Sequence, residues 1–449
     1  MGSAVLEDTD DLRLDNDFYA RNLIGGRWQF PAAPYEFEIR SPDDSTIIAV
    51  VPLSSRLDVA AAFGAADSAL RGTWGAPDAR ARLLHALLEL ITASRTELAR
   101  LQCAETGLSP ADSLHAIDVT LTVARAALAG LAAGRLSRVG GVSGHILSWG
   151  LPFTEIVTSV LPALGRGDTV IVKPSLRGPL TPAAFGFLAT RAGLPAGVVN
   201  IVQGTGVDVG ADLICRPGLS ALHVRAGERT IAQAQRSHQR TGIELHALRA
   251  GGNVMIIGPG SDAGAVADAV AAGVRVHSSG GPFGLPLLAV HRDCQESVLQ
   301  AVTERLSGTA AAPLPTEPLR QRALGRIRYL VEAGAQVRLG GSSLPDDIEH
   351  RMGWRIPPAV LMLGAAGSPA AWAEQASVPL GPVLAILSWD SESELGPAFT
   401  ASRNGAGTAS IWGAGDWAAS LPHGLVTAGP PAALADMTVL PAAWLGGAL

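Results

Sequence analysis

The sequence predicts an α/β protein built on two doubly wound parallel sheets, and three observations carry that prediction. From Val142 onward short apolar runs alternate with helical stretches, the pattern of a parallel sheet crossed over by helices. A second region of the same kind runs from Val254 to about Leu421. At 449 residues the chain is too long for one simple core and suits two closely packed domains.

The elements follow in order. Met1 to Asp17 is acidic and polar and reads as a disordered leader. Leu23 to Trp28 and Phe37 to Val51 alternate as short strands, with Ser41-Pro42-Asp43-Asp44 as a turn. Asp58 to Leu131 is helical, with leucines at three- and four-residue spacing such as Leu83, Leu87, Leu90 and Ile91. Val142 to Leu147, Thr169 to Val172, Val198 to Val202 and Ala221 to Val224 read as strands, with helices at Thr158 to Leu164 and Pro182 to Ala192. No low-complexity linker intervenes, so the domains divide at 18–250 and 251–425, with a divergent tail at 426–449.

Composition narrows the function classes. Net charge is −6 and pI about 5.9, with no basic run, which argues against nucleic acid or an anionic membrane as partner. Apolar stretches such as Ala265 to Val274 are far shorter than the roughly 20 residues that span a bilayer. Nothing at the N-terminus resembles a signal peptide, so the expected location is cytoplasmic. Cys103, Cys215 and Cys294 form neither a disulfide framework nor a metal site, and no metal is expected. Lys173 is the only lysine among 34 basic residues, which marks its site for attention.

Several motifs, in this order, resemble the aldehyde dehydrogenase superfamily. LIGGRW at Leu23 to Trp28 resembles its opening hairpin, and Glu105-Thr106-Gly107 its early helix–turn signature. ILSWGLPF at Ile146 to Phe153 resembles the segment usually written PWNFP, and Val172-Lys173-Pro174-Ser175 the cofactor-side KPSE motif. AGLPAGVVNIVQG at Ala192 to Gly204 is the most specific match. Gly251-Gly252-Asn253 resembles the ELGGK region, and Leu380 to Leu384 the tail of EEIFGPVL. The resemblance spans about residues 20 to 425 and implies that family's fold, with a Rossmann-like cofactor domain and a catalytic domain.

It also implies a chemistry whose parts are checked one by one. The family's cysteine thiolate attacks the aldehyde, an asparagine amide holds the oxyanion, hydride passes to NAD(P), and a glutamate activates water. Here Phe283 takes the nucleophile position, Gly150 the oxyanion position and Arg249 the base position. Glu244 stands in as base only if a local insertion shifts the register, and otherwise Arg249 and Glu244 suit a buried ion pair. On the cofactor side Leu176 replaces the KPSE glutamate, Val378 the ribose-binding glutamate, and Glu228 places a carboxylate in the phosphate turn. Lys173, Ser175 and Trp149 remain of the NAD set, so NAD(P) binding is expected to be weak or lost, with no other cofactor implied.

The surviving candidates for chemistry are Lys173, His277 and Arg249, with Ser278 and Ser279 beside them along the old tunnel. Lys173 reads either as a group kept for charge, nucleophilicity or ligand contact, or as a relic. On these residues the first expectation is a repurposed fold doing non-redox chemistry, such as condensation, cyclisation or dehydration, on a carbonyl-containing small molecule of specialised metabolism. The alternative is a non-catalytic pseudoenzyme that binds a ligand or stabilises a protein partner. The third is an unusual NAD(P)-dependent aldehyde dehydrogenase. Gly130 to Gly144 is too short for the family's protruding strand pair, so a monomer or simple dimer is expected rather than a tetramer.

Overall fold

A computed structural model describes residues 12–428 apart from 15–16, 34, 73, 75, 133–139, 250–253, 278–284, 286, 310–311, 342–352, 364–380, 396–408 and 414–425. It opens with two hairpins, β1 (Asn22–Ile24) with β2 (Arg27–Gln29) and β3 (Glu36–Arg40) with β4 (Ile47–Pro52). Helices α1 (Arg56–Leu70), α2 (Pro77–Ala93), α3 (Arg95–Thr106) and α4 (Pro110–Ala132) follow. Ser55 starts α1 with a capping box: its hydroxyl accepts from the helix while the Asp58 carboxylate reaches back to the Ser55 amide. The end of the expected leader is not loose, since Leu12 is buried in the core and its carbonyl accepts from the Tyr19 hydroxyl.

The first sheet then assembles from β5 (Val142–Ile146), α5 (Pro152–Arg166), β6 (Thr169–Lys173), α6 (Leu180–Arg191), β7 (Val199–Ile201), α7 (Ala211–Cys215), β8 (Ala221–Ala226), α8 (Glu228–Thr241) and β9 (Glu244–Arg249). Strand order is β2-β1-β7-β6-β5-β8-β9, parallel from β7 to β9. Every residue of β5 and β6 is buried, as central strands covered on both faces require. The chain builds outward from β5 to β7 and then returns to lay β8 on the other side of β5. The switch point of this doubly wound sheet therefore lies between β5 and β8, where such folds open a crevice at the strand C-termini.

The second half of the chain contributes β10 (Val254–Ile257), α9 (Ala263–His277), β11 (Leu287–His291), α10 (Arg292–Ser307), β12 (Ala312–Pro313), α11 (Glu317–Glu332), β13 (Gln336–Leu339), β14 (Arg355–Ile356), β15 (Ala359–Met362), β16 (Val383–Trp389), β17 (Ala409–Trp412) and β18 (Val426–Ala428); β12 and β14 pair with each other in a small antiparallel sheet, and the remaining strands form the second sheet. Its order is β13-β15-β16-β11-β10-β17-β18, with β13 antiparallel to β15 and the other pairs parallel. Two parallel-sheet units on either side of the 250–253 stretch match the predicted fold class. Among the described residues no helix is long and apolar enough to cross a membrane.

Candidate active site

The β5–α5 turn supplies the first wall of the crevice. Pro152 sits in the first turn of α5, where its missing N–H costs nothing, and fourteen of the helix's residues are buried. Trp149 is buried and its Nε1 donates to the Glu105 carbonyl at 3.1 Å. The Glu105 carboxylate turns the other way and caps α6, accepting from the Leu180 amide, the Thr181 amide at 3.2 Å and the Thr181 hydroxyl at 2.5 Å. Burial pushes its pKa up to about 7 against the pull of those donors. One buried carboxylate-bearing residue thus ties α3, α6 and the turn that carries Gly150.

A second buried acid holds the same turn from inside. Ser148 Oγ donates to Glu155 Oε1 at 2.8 Å. Arg225, on the last turn of β8, donates from Nη1 to the Glu155 carbonyl at 3.0 Å and to Thr158 Oγ1 at 2.6 Å, with Glu155 Oε2 at 3.6 Å. Burial raises the Glu155 pKa despite the guanidinium, and burial lowers that of Arg225 despite the carboxylate. The pair therefore spans the switch point, from the end of β5 to the end of β8. Two residues back along β8, His223 stacks between His145 of β5 and His246 of β9, with ring centroids 4.5 Å apart in both pairs. Sequence reasoning passed over Glu155, Arg225, Ser148 and His145. The signal was available in Leu222-His223-Val224-Arg225, where polar residues two apart in an apolar strand must share one face.

The second wall is the start of α8. Gly227 is its N-cap in extended conformation, and it is exposed, with open space where a Cβ would stand. The third wall is the C-terminus of β6, where Lys173 is buried at 4% exposure. Its Nζ donates to the Pro174 carbonyl at 2.5 Å, and burial alone pulls its pKa down to about 8, with no carboxylate contributing. Gly210 lies alongside it: a Cβ there would be in ordinary contact, 3.4 Å from Lys173 Cδ.

The sequence-predicted residues divide accordingly. Lys173, Ser175, Trp149 and the buried Gly150 all sit at the strand C-termini around the crevice. Ser175 accepts from the Arg177 amide at 3.3 Å, and Leu176 packs against the core. Arg249 ends β9 with its backbone paired to Ala226, but its side chain lies outside the described residues. The Glu244 carboxylate meets His246 Nε2 at 2.9 Å. His277 closes α9 with its side chain likewise undescribed, and Ser278, Ser279, Phe283 and Val378 lie outside the described residues. One residue before His277, Val276 packs with Leu151, so the end of α9 lies beside the turn that carries Gly150. The cysteines are engaged elsewhere, Cys103 with Ser113 and Cys294 with the Gly258 and His291 carbonyls, while Cys215 is exposed at the end of α7. Among the described residues no His, Cys, Asp and Glu cluster suits a metal ion.

Comparison with known proteins gives this geometry its context. The sequence profile of the aldehyde dehydrogenase family matches residues 28–419. A 3,6-anhydro-α-L-galactose dehydrogenase of Streptomyces coelicolor is 28% identical over 415 residues, covering 85% of this chain and 82% of that protein. A 2-hydroxymuconic semialdehyde dehydrogenase of a Pseudomonas species is 33% identical over 257 residues, 51% of this chain and 53% of that one. Among solved structures, an NAD+ complex of a Bacillus cereus aldehyde dehydrogenase aligns with TM-score 0.79 at 23% identity, covering 91% of this chain and 88% of that one. An aldehyde dehydrogenase of Pseudomonas syringae solved with NAD+ and octanal gives TM-score 0.77 at 24% identity, covering 92% and 90%.

These relatives overturn two expectations. Non-redox chemistry and a non-catalytic pseudoenzyme both give way, because the related proteins are named dehydrogenases of aldehydes and semialdehydes. The expected loss of NAD(P) gives way as well, since structures of this fold are solved with NAD+ bound. Dinucleotide affinity in a doubly wound sheet rests heavily on backbone, on an open helix N-terminus and on the switch-point crevice. Replacing Leu176 or Glu228 removes neither the buried lysine nor the opening before Gly227. The residues present fit a dinucleotide.

Proposed function

The chain belongs to the aldehyde dehydrogenase family, and on that premise we propose that it oxidises an aldehyde to the acid with NAD(P)+ as hydride acceptor. The observation that carries the reading is the switch point of the first sheet, with buried Lys173 at the end of β6 and exposed Gly227 before α8. Lys173 would hold the adenosine end, and the amides that follow Gly227 would face the pyrophosphate. When bound, the pyridine nucleotide supplies the acceptor for hydride.

The reading includes a departure from the family pattern. Phe283, Gly150 and Arg249 stand where the resemblance places thiol, oxyanion donor and base. A phenyl ring makes no bond to a carbonyl carbon, so the second oxygen of the acid comes from water without an enzyme-bound acyl group. The competent substrate is the aldehyde hydrate: its C–H bond breaks to release hydride, one hydroxyl releases a proton to water, and the carboxylic acid remains. The role of this chain's own groups is to bind and orient. Ser148, Glu155 and Arg225 fix the turn that carries Gly150, and Trp149 is fixed through Glu105.

The test is reduced-nicotinamide absorbance with aldehydes of similar size and different degrees of hydration. Strongly hydrated aldehydes should turn over faster, and alkylating the three cysteines should leave the rate within about twofold. No turnover with any aldehyde and either nucleotide would sink the reading.

A further inference from the structure

An aldehyde hydrate gives up a proton as well as a hydride, and the position where the resemblance places a base holds Arg249, which keeps its own proton at neutral pH. Two other groups at the switch point can take that proton. Ser148 follows β5 by two residues and precedes Gly150 by two, and it is half-buried, so part of it stays within reach of a small molecule. Its hydroxyl donates to Glu155 Oε1 at 2.8 Å. Glu155 is fully buried, and its other oxygen, Oε2, has no hydrogen-bond partner among the described residues. Arg225 lies 3.6 Å from Oε2 and is anchored by two further bonds, to the Glu155 carbonyl and to Thr158 Oγ1, so the carboxylate is held in one orientation. Among the described residues Arg225 is the one charged group that acts on the Glu155 carboxylate; it pulls the pKa down, burial pushes it up by more, and the balance is a stronger base than an exposed carboxylate.

A hydroxyl bonded to a buried carboxylate that a third group orients is the arrangement in which a hydroxyl gives up its proton. Resting on the aldehyde-oxidation reading above, we propose that Ser148 and Glu155 form a proton relay for the hydrate. The hydrate O–H proton passes to Ser148 Oγ as the Ser148 proton passes to Glu155 Oε1. In the same step the C–H bond breaks, its electron pair leaves as hydride for the oxidised pyridine nucleotide, and the oxygen that lost its proton closes the carbonyl of the acid. Ser148 ends as the neutral hydroxyl it began as. Glu155 ends protonated, and its proton returns to water through Ser148 once the acid has left. Ser148 is then the catalytic residue that touches the hydrate, Glu155 the acceptor behind it, and Arg225 a positioning residue. The burial of Glu155 is what calls for a relay: the carboxylate is shielded from a substrate, and the Ser148 hydroxyl bridges it to the half-buried surface of the turn.

The experiment measures kcat and KM against pH for the full chain with two strongly hydrated aldehydes, trifluoroacetaldehyde and glyoxylate, each with NAD+ and with NADP+. Ser148→Ala leaves the Glu155–Arg225 pair in place and should lower kcat on the order of 10²- to 10⁴-fold at neutral pH, with KM within about threefold of wild type. Its remaining rate should climb with pH, because hydroxide then removes the proton, whereas the wild type levels off once Glu155 is ionised. Ser148→Thr keeps a hydroxyl and should return kcat to within about tenfold of wild type. Glu155→Gln keeps the acceptor for Ser148 and should match Ser148→Ala; if a thermal melt shows it unfolded, Glu155→Gln with Arg225→Met removes both charges and takes its place. Infrared titration of the free protein needs no turnover. The Ser148 donor favours the charged carboxylate, so Ser148→Ala should move the Glu155 carboxyl band to higher pH. A folded Ser148→Ala that keeps kcat within about threefold of wild type, or an unmoved carboxyl band, would overturn the relay and leave aldehyde oxidation standing. No turnover of either hydrate by the wild type would remove the hydrate reading and the relay together.

Discussion

The two sheets are both seven-stranded and mostly parallel, and they differ in what fills them. Under α5 the first sheet carries a polar layer: the stacked His145, His223 and His246, the buried Glu155–Arg225 pair, and the Arg166–Asp168 pair at 3.5 Å. Around the second sheet the described core is aliphatic, with Ile256, Leu287, Ala289, Leu361 and Ala385 on one face and Met255, Ile257, Leu288, Val290 and Leu384 on the other. An aliphatic core stabilises through area and tolerates small losses. A buried polar layer contributes little net stability, but it penalises any arrangement that leaves a member unpaired. The contrast teaches that the first sheet is specified by partners and the second by volume.

The largest break in that contrast comes from separating a pair. Glu155→Leu leaves Arg225 buried beside an apolar side chain and should cost about 3–5 kcal/mol in denaturant unfolding, whereas Glu155→Leu with Arg225→Leu should recover most of it. A double variant no more stable than the single one would mean that the layer is held by something other than pairing.

Acid is the next lever. His145 and His223 are held well below the usual histidine range, first by burial, then by neighbouring imidazoles and the guanidinium groups of Arg166 and Arg225. Facing them, Ser159 of α5 meets His145 Nδ1 at 2.8 Å, and Glu244 of β9 meets His246. A depressed folded pKa means that the unfolded chain binds more protons below pH 6.5, so stability falls as pH drops through that value, by up to about 2 kcal/mol per histidine at pH 5. Glu105 and Glu155, raised by burial, work in the opposite sense, losing stability as pH rises from the usual carboxylate range. The histidine contribution is therefore read as a difference: His223→Phe keeps a flat ring in the stack and should flatten the acid side of a melting-temperature profile. An unchanged slope would remove His223 from the account.

The smallest effect belongs to the second sheet. Ile256→Val removes one methyl from a fully buried site and should cost about 1 kcal/mol, independent of pH between 5 and 8. A pH-dependent cost there would erase the distinction between the sheets.

The same contrast explains what was legible beforehand. Apolar runs announced β5, β6, β7 and β10, because parallel central strands are read from hydrophobicity alone. The helix from Pro152 was expected only from Thr158, because Thr154, Glu155, Thr158 and Ser159 disguise a buried helix face as a polar one. Strand β9 went unassigned for the same reason, with Glu244 and His246 interrupting its apolar pattern. Lys173, Ser175, Trp149 and Gly150 could be assigned to the strand C-termini of the first sheet because motifs mark backbone turns. Glu155 and Arg225 were missed because they lie 70 residues apart and meet only through the β5–β8 crossover.

One feature of the connectivity bears on how the molecule can move. Strand β9 is the last strand of one sheet, and only residues 250–253 separate it from β10, which lies inside the other. Five peptide steps reach at most about 18 Å. The two halves are on a short leash anchored at an edge on one side and at a centre on the other. Any parting of the halves must swing about that tether, widest at the points farthest from it. Tension carried along that tether passes first to β9, which among the described residues pairs with β8 alone in the sheet. Under load, the strand bearing His246 is the first to peel away, carrying Arg249 with it.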